Sequence, residues 1–162
     1  MITENKGVVT GILIAATLWF FMFSPWTAPM INFWGAMTFS AVILTCVSRW
    51  LCPEMFKELR FGGKQIVLGF AIAFVLWWVF WIGDKMSQLI FNFARPQVDM
   101  IYSMGNGTSS VIIAILLLLI IGPAEEIFWR GFVQRRLMLR FGSNIGFIAA
   151  TVCYALVHIW SF

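Results

Sequence analysis

The feature that most constrains this chain is a series of apolar runs, each close to the length that crosses a membrane. A helix needs about 20 apolar residues to span a bilayer core of about 30 Å. Four runs have this character, and they cover residues 8–24, 30–48, 65–83 and 144–162. A fifth begins at Ser109 and is long enough only if its helix continues through Glu125 and Glu126, which we expect. The runs predict an all-α, multi-pass transmembrane helical bundle of about five helices, in a single integral membrane domain over residues 1–162.

The composition agrees with a lipid environment. Hydrophobic residues make up 61% of the 162 positions and charged residues 11%, whereas soluble domains are about half apolar and a quarter charged. The cysteines, Cys46, Cys52 and Cys153, are odd in number and lack CxxC spacing, so we expect neither a disulfide framework nor a metal site. No cofactor is predicted.

The basic residues predict the orientation in the membrane. If the N-terminus is cytoplasmic, nine of the 11 lysines and arginines fall on the cytoplasmic side, and only Lys85 and Arg95 fall outside. This bias is typical of short loops that remain in the cytoplasm. Because the basic residues lie between apolar runs and not along one face, nucleic acid is not an expected partner. The predicted location is the inner (plasma) membrane of the cell.

The segment after the third apolar run has two interpretations. In residues 84–94, the apolar Met86, Leu89, Ile90 and Phe93 recur at the spacing of one helix face. The pattern is typical of a helix that lies on the membrane surface. It fits a third helix that is longer than its apolar run equally well, so both alternatives stay open.

Two adjacent glutamates interrupt the fifth run, in the stretch GPAEEIFWRG at residues 122–131. An ionisable side chain within a spanning helix costs on the order of 3 kcal/mol, so each carboxylate should have a partner. Arg130 lies four residues after Glu126, in the order that favours an ion pair. Glu125 points about 100° away around the helix, where Phe128 and Trp129 follow it. It therefore needs a partner from another helix.

His158, the only histidine of the chain, is the candidate partner of Glu125. We predict a hairpin turn near Phe141 and Gly142, which Glu125 precedes by about 16 residues and His158 follows by about 17. At 1.5 Å per residue, both lie roughly 25 Å from the turn, so in straight antiparallel helices they are level. A lone membrane histidine is more often a packing residue, but its position beside an unpartnered glutamate favours chemistry.

These residues resemble the motifs of a known family. The sequence EEIFWR fits the pattern EExxxR, and YALVH resembles FxxxH with Tyr154 in the aromatic position. They are similar to the first two motifs of the CAAX prenyl protease and bacteriocin-processing family (CPBP, Abi) of glutamate intramembrane proteases. The resemblance covers residues 113–162. It implies four active-site residues, which are Glu125, Glu126, Arg130 and His158.

The resemblance implies peptide hydrolysis without a covalent intermediate. Glu125 would take a proton from a water that His158 helps to hold, and Glu126 with Arg130 would keep the helix face in place. Tyr154, by packing or through its hydroxyl, and Trp129 would support the site. The implied partner is a peptide or protein substrate, lipidated or inserted in the bilayer. A zinc protease is disfavoured because HExxH is absent and one histidine does not supply the usual ligands.

The family pattern is incomplete at the C-terminal end of the sequence. Family members continue with helices that carry another histidine and an Asn or Asp, which are expected to stabilise the oxyanion. We expect the chain to be truncated before these helices, and a shortened homologue is the alternative. A second functional hypothesis is a non-catalytic immunity or regulatory membrane protein, in which Glu125 and His158 form a structural polar clasp. A transporter is less favoured, because paired half-helices are missing.

Overall fold

A computed structural model describes residues 2–59, 62–96, 99 and 107–161. All regular secondary structure in these ranges is helical, which confirms the predicted all-α class. The chain divides into two compact units, Met1–Glu58 with Ser109–Phe162 and Leu59–Thr108. The single membrane domain stays a prediction. Arg60 and Phe162, which entered the predicted orientation and the last predicted span, lie outside the described residues.

The described residues form six main helices that follow one another along the chain. In chain order they are α1 (Ile2–Phe23), α2 (Phe33–Leu51), α3 (Pro53–Glu58), α4 (Gly63–Ile90), α5 (Ser110–Phe141) and α6 (Ser143–Val157), with a final 3₁₀ turn at His158–Ser161. Helix α4 belongs to the second unit and the others to the first. Helix α2 begins after Asn32, whose side-chain oxygen accepts a hydrogen bond from the backbone N–H of Gly35 at 2.8 Å.

Three of these helices are long and apolar enough to cross a membrane. Their mean hydropathies are 1.2 for α2, 2.3 for α4 and 2.4 for α5. The apolar part of α1, Gly7–Phe23, and helix α6 are shorter than the roughly 20 residues that a span needs. The predicted count of five spans is therefore not confirmed. The predicted continuation of the fifth helix through the two glutamates is confirmed, since α5 is unbroken to Phe141.

The second unit consists mainly of α4, and it decides between the two interpretations of residues 84–94. Helix α4 continues past Gly83 to Ile90, so the longer third helix is the alternative that is observed. Within its last turns, the amide of Gln88 donates to a carboxylate oxygen of Asp84 at 2.7 Å. The helix ends where Phe91 adopts an extended backbone conformation.

The first unit has a continuous apolar core between α1, α2, α5 and α6. Its fully buried members are large side chains from three of these helices, among them Trp19, Leu44, Phe128, Phe132 and Val133. Helix α1 approaches α5 closely at Gly11, where a Cβ atom would lie 2.8 Å from the ring of Phe132. This close packing presents the inner face of α5 to its neighbours and thereby positions the candidate site.

Candidate functional site

Helix α5 changes its winding at the two glutamates. Glu125 ends a short α-helical stretch, Gly122–Glu125, and Glu126 begins a wider π-helical stretch, Glu126–Gln134. Wide turns of this kind are rare and often occur at functional sites. They also change the geometry that we assumed from the sequence. Since a π turn holds more residues than an α turn, counting 1.5 Å per residue overestimates the distance of Glu125 from the hairpin.

Glu126 and Arg130 form the ion pair that their spacing predicts. A guanidinium N–H of Arg130 donates to a carboxylate oxygen of Glu126 at 2.8 Å, and both side chains are 59% exposed. The pair therefore lies on the exposed side of α5 in the first unit. Its exposure removes the burial that would make its loss costly.

Glu125 occupies a different environment from its neighbour. It is half-buried and lies next to the buried Ala124. One turn later the helix carries Phe128 and Trp129, which are both buried. Glu125 is thus a half-buried carboxylate on a part of α5 whose neighbouring side chains are buried and mainly aromatic.

Two glycines bring α6 back along α5. Gly142 has φ of +83°, a conformation that favours glycine, and it forms the predicted turn between the helices. Four residues later Gly146 lies against the backbone of Met138, where a Cβ atom would collide with main-chain atoms that cannot rotate away. The predicted antiparallel hairpin is therefore present, and it is close-packed near its turn.

The apolar sequence around His158 predicts a position within the last helix. In the structure, His158 instead lies just past the end of α6. The α-helix stops at Val157, and His158 begins the 3₁₀ turn. Its Nδ1 lies 2.7 Å from the backbone carbonyl oxygen of Tyr154. A carbonyl oxygen only accepts, so Nδ1 carries the hydrogen of this bond and a neutral ring keeps its lone pair on Nε2.

Aromatic rings surround the imidazole. The ring of Tyr154 lies 4.1 Å from that of His158, tilted by 32°. Trp129 of α5 contacts both, at centroid distances of 5.2 Å to Tyr154 and 6.3 Å to His158. The predicted packing of Tyr154 against the imidazole is present, and Trp129 links the two helices at this level.

The sequence reasoning missed one residue of this cluster, Trp19 of α1. Its ring meets that of His158 edge-on at 5.1 Å, and its side chain is only 1% exposed. Helix α1 is apolar on all sides in this region, so no periodic pattern indicates which face packs inward. The contact depends on how α1 and α6 meet, which only the tertiary structure decides.

A small cavity opens beside these rings. Its volume is about 270 Å³, and its lining residues are Trp129, Arg130, Gln134, Phe147, Ala150, Thr151 and Tyr154. The indole N–H of Trp129 is buried, and the described residues offer it no acceptor. In the same ranges there is no group of three or more His, Cys, Asp or Glu side chains that could hold a metal ion.

The sequence-predicted site residues fall into two groups. The structure brings together Trp129, Tyr154 and His158 on the inner side, and Glu126 with Arg130 on the exposed side. Glu125 lies one turn before Trp129 on α5. The direct pairing of Glu125 with His158 stays a prediction.

Comparison with known proteins supports the family resemblance. Residues 107–162 match the family model described as type II CAAX prenyl endopeptidase Rce1-like. None of the curated proteins or solved structures compared with the chain matches it. The match covers the hairpin and every candidate site residue. Over residues 107–162 the chain is thus similar to the Rce1-like CAAX prenyl endopeptidases, the membrane protease family that its motifs predict.

Proposed function

We propose that this chain is an intramembrane endopeptidase in which Glu125 and His158 activate a water molecule for peptide hydrolysis. The observation that carries the proposal is the contact of Trp129 with Tyr154 and His158, one turn beyond Glu125 on α5. Side chains on a helix tilt toward its N-terminus, so Trp129 leans toward the level of Glu125. The imidazole lies beside that ring, and on this basis we infer that it is near the level of Glu125.

The hydrogen bond to Tyr154 prepares His158 for this role. With Nδ1–H donating to the carbonyl oxygen of Tyr154, the lone pair of Nε2 is the acceptor that the neutral ring presents. A water donating one hydrogen to Nε2 and the other to the carboxylate of Glu125 would keep its oxygen lone pair for a substrate carbonyl. The packing of Tyr154 and Trp19 limits the rotation of the ring.

The reaction needs only water and a peptide. The water oxygen forms a bond to the carbonyl carbon while Glu125 takes a water proton as general base. The resulting tetrahedral intermediate collapses as the carbon–nitrogen bond breaks, and protonated Glu125 returns the proton to the leaving amine. Glu126 and Arg130 maintain the local field from the exposed side, and neither reacts. No metal, nucleophilic serine or cysteine takes part in this mechanism.

The substrate class follows from the setting and the family match. The site lies on helices that are apolar over most of their length, and the matching family is described as prenyl endopeptidases. We therefore propose a peptide or protein substrate that is lipidated or membrane-inserted next to its cleaved bond.

We further propose that the N-terminus faces the cytoplasm of a cell with the protein in its inner (plasma) membrane. Nine of the 11 basic residues support this orientation. A single cysteine at Ser143, in a cysteine-free background, should then resist a membrane-impermeant thiol reagent in intact cells and react after permeabilisation. Labelling in intact cells would reverse the proposed orientation.

A second candidate is a non-catalytic immunity or regulatory protein in which the same residues form a polar clasp. The observation that favours it is the packing of His158 among Trp19, Trp129 and Tyr154, because such an environment also suits a structural histidine. In this case the carboxylate and the imidazole would contribute to helix pairing alone.

Substitution of Glu125 by Gln separates the two candidates. The full chain in liposomes is assayed with an internally quenched farnesylated peptide that ends in a CAAX sequence, and the folded fraction is measured in parallel. A general base contributes about 10²- to 10⁴-fold, so E125Q and H158Q should lower turnover by that order while the protein stays folded. The double variant should lose little more than either single variant, since the residues act as a unit. Loss of folded protein with turnover per folded molecule unchanged would favour the clasp.

A further inference from the structure

The side of the first unit formed by α2, α3 and α5 carries an apolar groove that α6 does not line. Two adjoining cavities of about 560 and 290 Å³ form it, and both are lined by Thr45 and Cys46 of α2. Helix α5 contributes apolar residues such as Ile120 and Pro123 at one end. The hydroxyl of Thr45 donates to the carbonyl oxygen of Ala41 at 2.9 Å. Its hydrogen is therefore already used within α2, and this part of the lining is mainly apolar.

The other end of the groove carries a positive charge. Arg49 lines the larger cavity, and its guanidinium lies 5.7 Å from the centre of the Phe56 ring of α3. Next to it, Trp50 is 77% exposed, which is typical of an aromatic residue at the boundary between lipid tails and headgroups. The groove therefore runs from an apolar interior to a cationic end at headgroup level.

No carboxylate among the described residues neutralises the charge of Arg49. The nearby carboxylates of α3 pair elsewhere, Glu58 with Arg135 at 2.8 Å and Glu54 with Arg136 at 4.0 Å. In the part of the chain that the structure describes, Arg49 itself has no carboxylate within ion-pair distance. Its N–H donors remain available for an anion.

The dimensions fit one acyl chain. From Ala41 to Arg49 the groove follows eight residues of α2, which is about 12 Å along the helix. Half of a hydrocarbon core of about 30 Å is about 15 Å. An acyl chain of the leaflet on the side of Arg49 would therefore fill the groove to nearly its full depth, with its phosphate at the guanidinium.

We propose that this groove is a binding site for one anionic phospholipid, with an acyl chain along Thr45 and Cys46 and the phosphate held by Arg49. The net positive charge at this end selects an anionic headgroup over a zwitterionic one. Ala124 and Ile127, which flank the two glutamates in the sequence, line the apolar end of the groove, but lipid binding there does not depend on the chemistry of the proposed proteolytic residues.

Native mass spectrometry of the full chain, titrated with dioleoyl phosphatidylglycerol or dioleoyl phosphatidylcholine, tests the proposal. Wild type should retain the anionic lipid more tightly. One basic side chain near a membrane surface contributes roughly 1 kcal/mol, so R49Q should weaken phosphatidylglycerol binding about fivefold and leave phosphatidylcholine unchanged. R49K should restore most of the preference. Glycerophosphoglycerol, which lacks acyl chains, should not compete.

Arg140 supplies the matched control, because its guanidinium also lies over an aromatic ring, Phe141 at 4.7 Å, and it does not line the groove. R140Q should bind both lipids like wild type. C46W fills the groove where the cavities adjoin and should lower binding of both lipids, with thermal unfolding confirming that it is folded. Equal loss in R49Q and R140Q, or full lipid binding by folded C46W, would overturn the proposal.

Discussion

Glu125 and Glu126 are neighbours in the sequence, yet their side chains differ in exposure and in the residues around them. Glu126 is on the exposed face and forms an ion pair with Arg130 at 2.8 Å. Glu125 is half-buried on the inner face, where Trp129 links α5 to the aromatic rings around His158. A carboxylate that already accepts a strong hydrogen bond is a poorer base than one left available to water. This difference is the reason we propose the chemical role for Glu125 and a supporting role for Glu126.

The largest expected effect is the loss of turnover when Glu125, and not Glu126, is replaced by glutamine. E125Q should lower turnover by about 10²- to 10⁴-fold, because it removes the general base. E126Q should lower it by less than tenfold, since the proposed water does not contact Glu126. Both variants remove one negative charge and retain the side-chain shape, so each controls for the other. Equal losses of kcat in E125Q and E126Q would show that the two carboxylates do not have the different roles proposed here.

The next effect concerns the packing that holds the inner face against α6. G146A should lower the free energy of unfolding by about 1 to 3 kcal/mol, because a methyl group would overlap the backbone of Met138. The control is G69A in α4, where the same methyl group meets open space and helix propensity favours alanine. Chemical denaturation of both variants in detergent makes the comparison. A G146A protein as stable as G69A would contradict the close hairpin.

On the exposed face the expected loss is smaller. R130A breaks the pair with Glu126, but both side chains are 59% exposed, so it should cost about 0.2 to 1 kcal/mol. A buried pair would cost roughly 3 to 5 kcal/mol when one partner is removed. The midpoint of denaturation for R130A and wild type distinguishes these ranges. A loss in the larger range would place the pair in a poorly solvated environment.

The smallest expected effect is a pH dependence at the basic end of α5. The hydrogen bond from Arg135 lowers the pKa of Glu58 from its ordinary value of 4.5. Because the folded pKa is the lower one, the stabilisation is fully present above pH 4.5 and is lost as the pH falls through the folded value. Between pH 6 and 3, wild type should lose slightly more stability than E58Q, which cannot titrate at this position. Identical pH profiles would show that the pair contributes nothing.

Several parts of the site were predictable because they depend on spacing along one helix. The pair of Glu126 with Arg130 follows from a separation of four residues, and the packing of Tyr154 on His158 follows from the same separation in α6. The turn at Gly142 was predictable because a glycine follows the last residue of the helical pattern. In each of these features the interacting residues are close in the sequence. Their relative positions are therefore set by the local helix geometry and hardly depend on the rest of the fold.

Other parts were not predictable for equally physical reasons. The wide turns of α5 leave no pattern in the sequence, so the assumed rise of 1.5 Å per residue is wrong between Glu126 and Gln134. The count of five spans is not confirmed, because the apolar part of α1 and helix α6 are shorter than a span requires. The end of α6 at Val157 was missed because no proline, glycine or cap marks it.

By itself, the sequence determined the helical class, the continuation of α5 through its glutamates and the motifs that match the family model. Only the tertiary structure decided that Trp19 packs on His158, that Glu125 lies on the inner face and that Arg49 ends an apolar groove. The physical reason is that hydrophobicity and hydrogen bonding along a helix are local, so composition and spacing control them. Where a helix is apolar on all sides, the face that packs inward depends on the fit of side chains between helices.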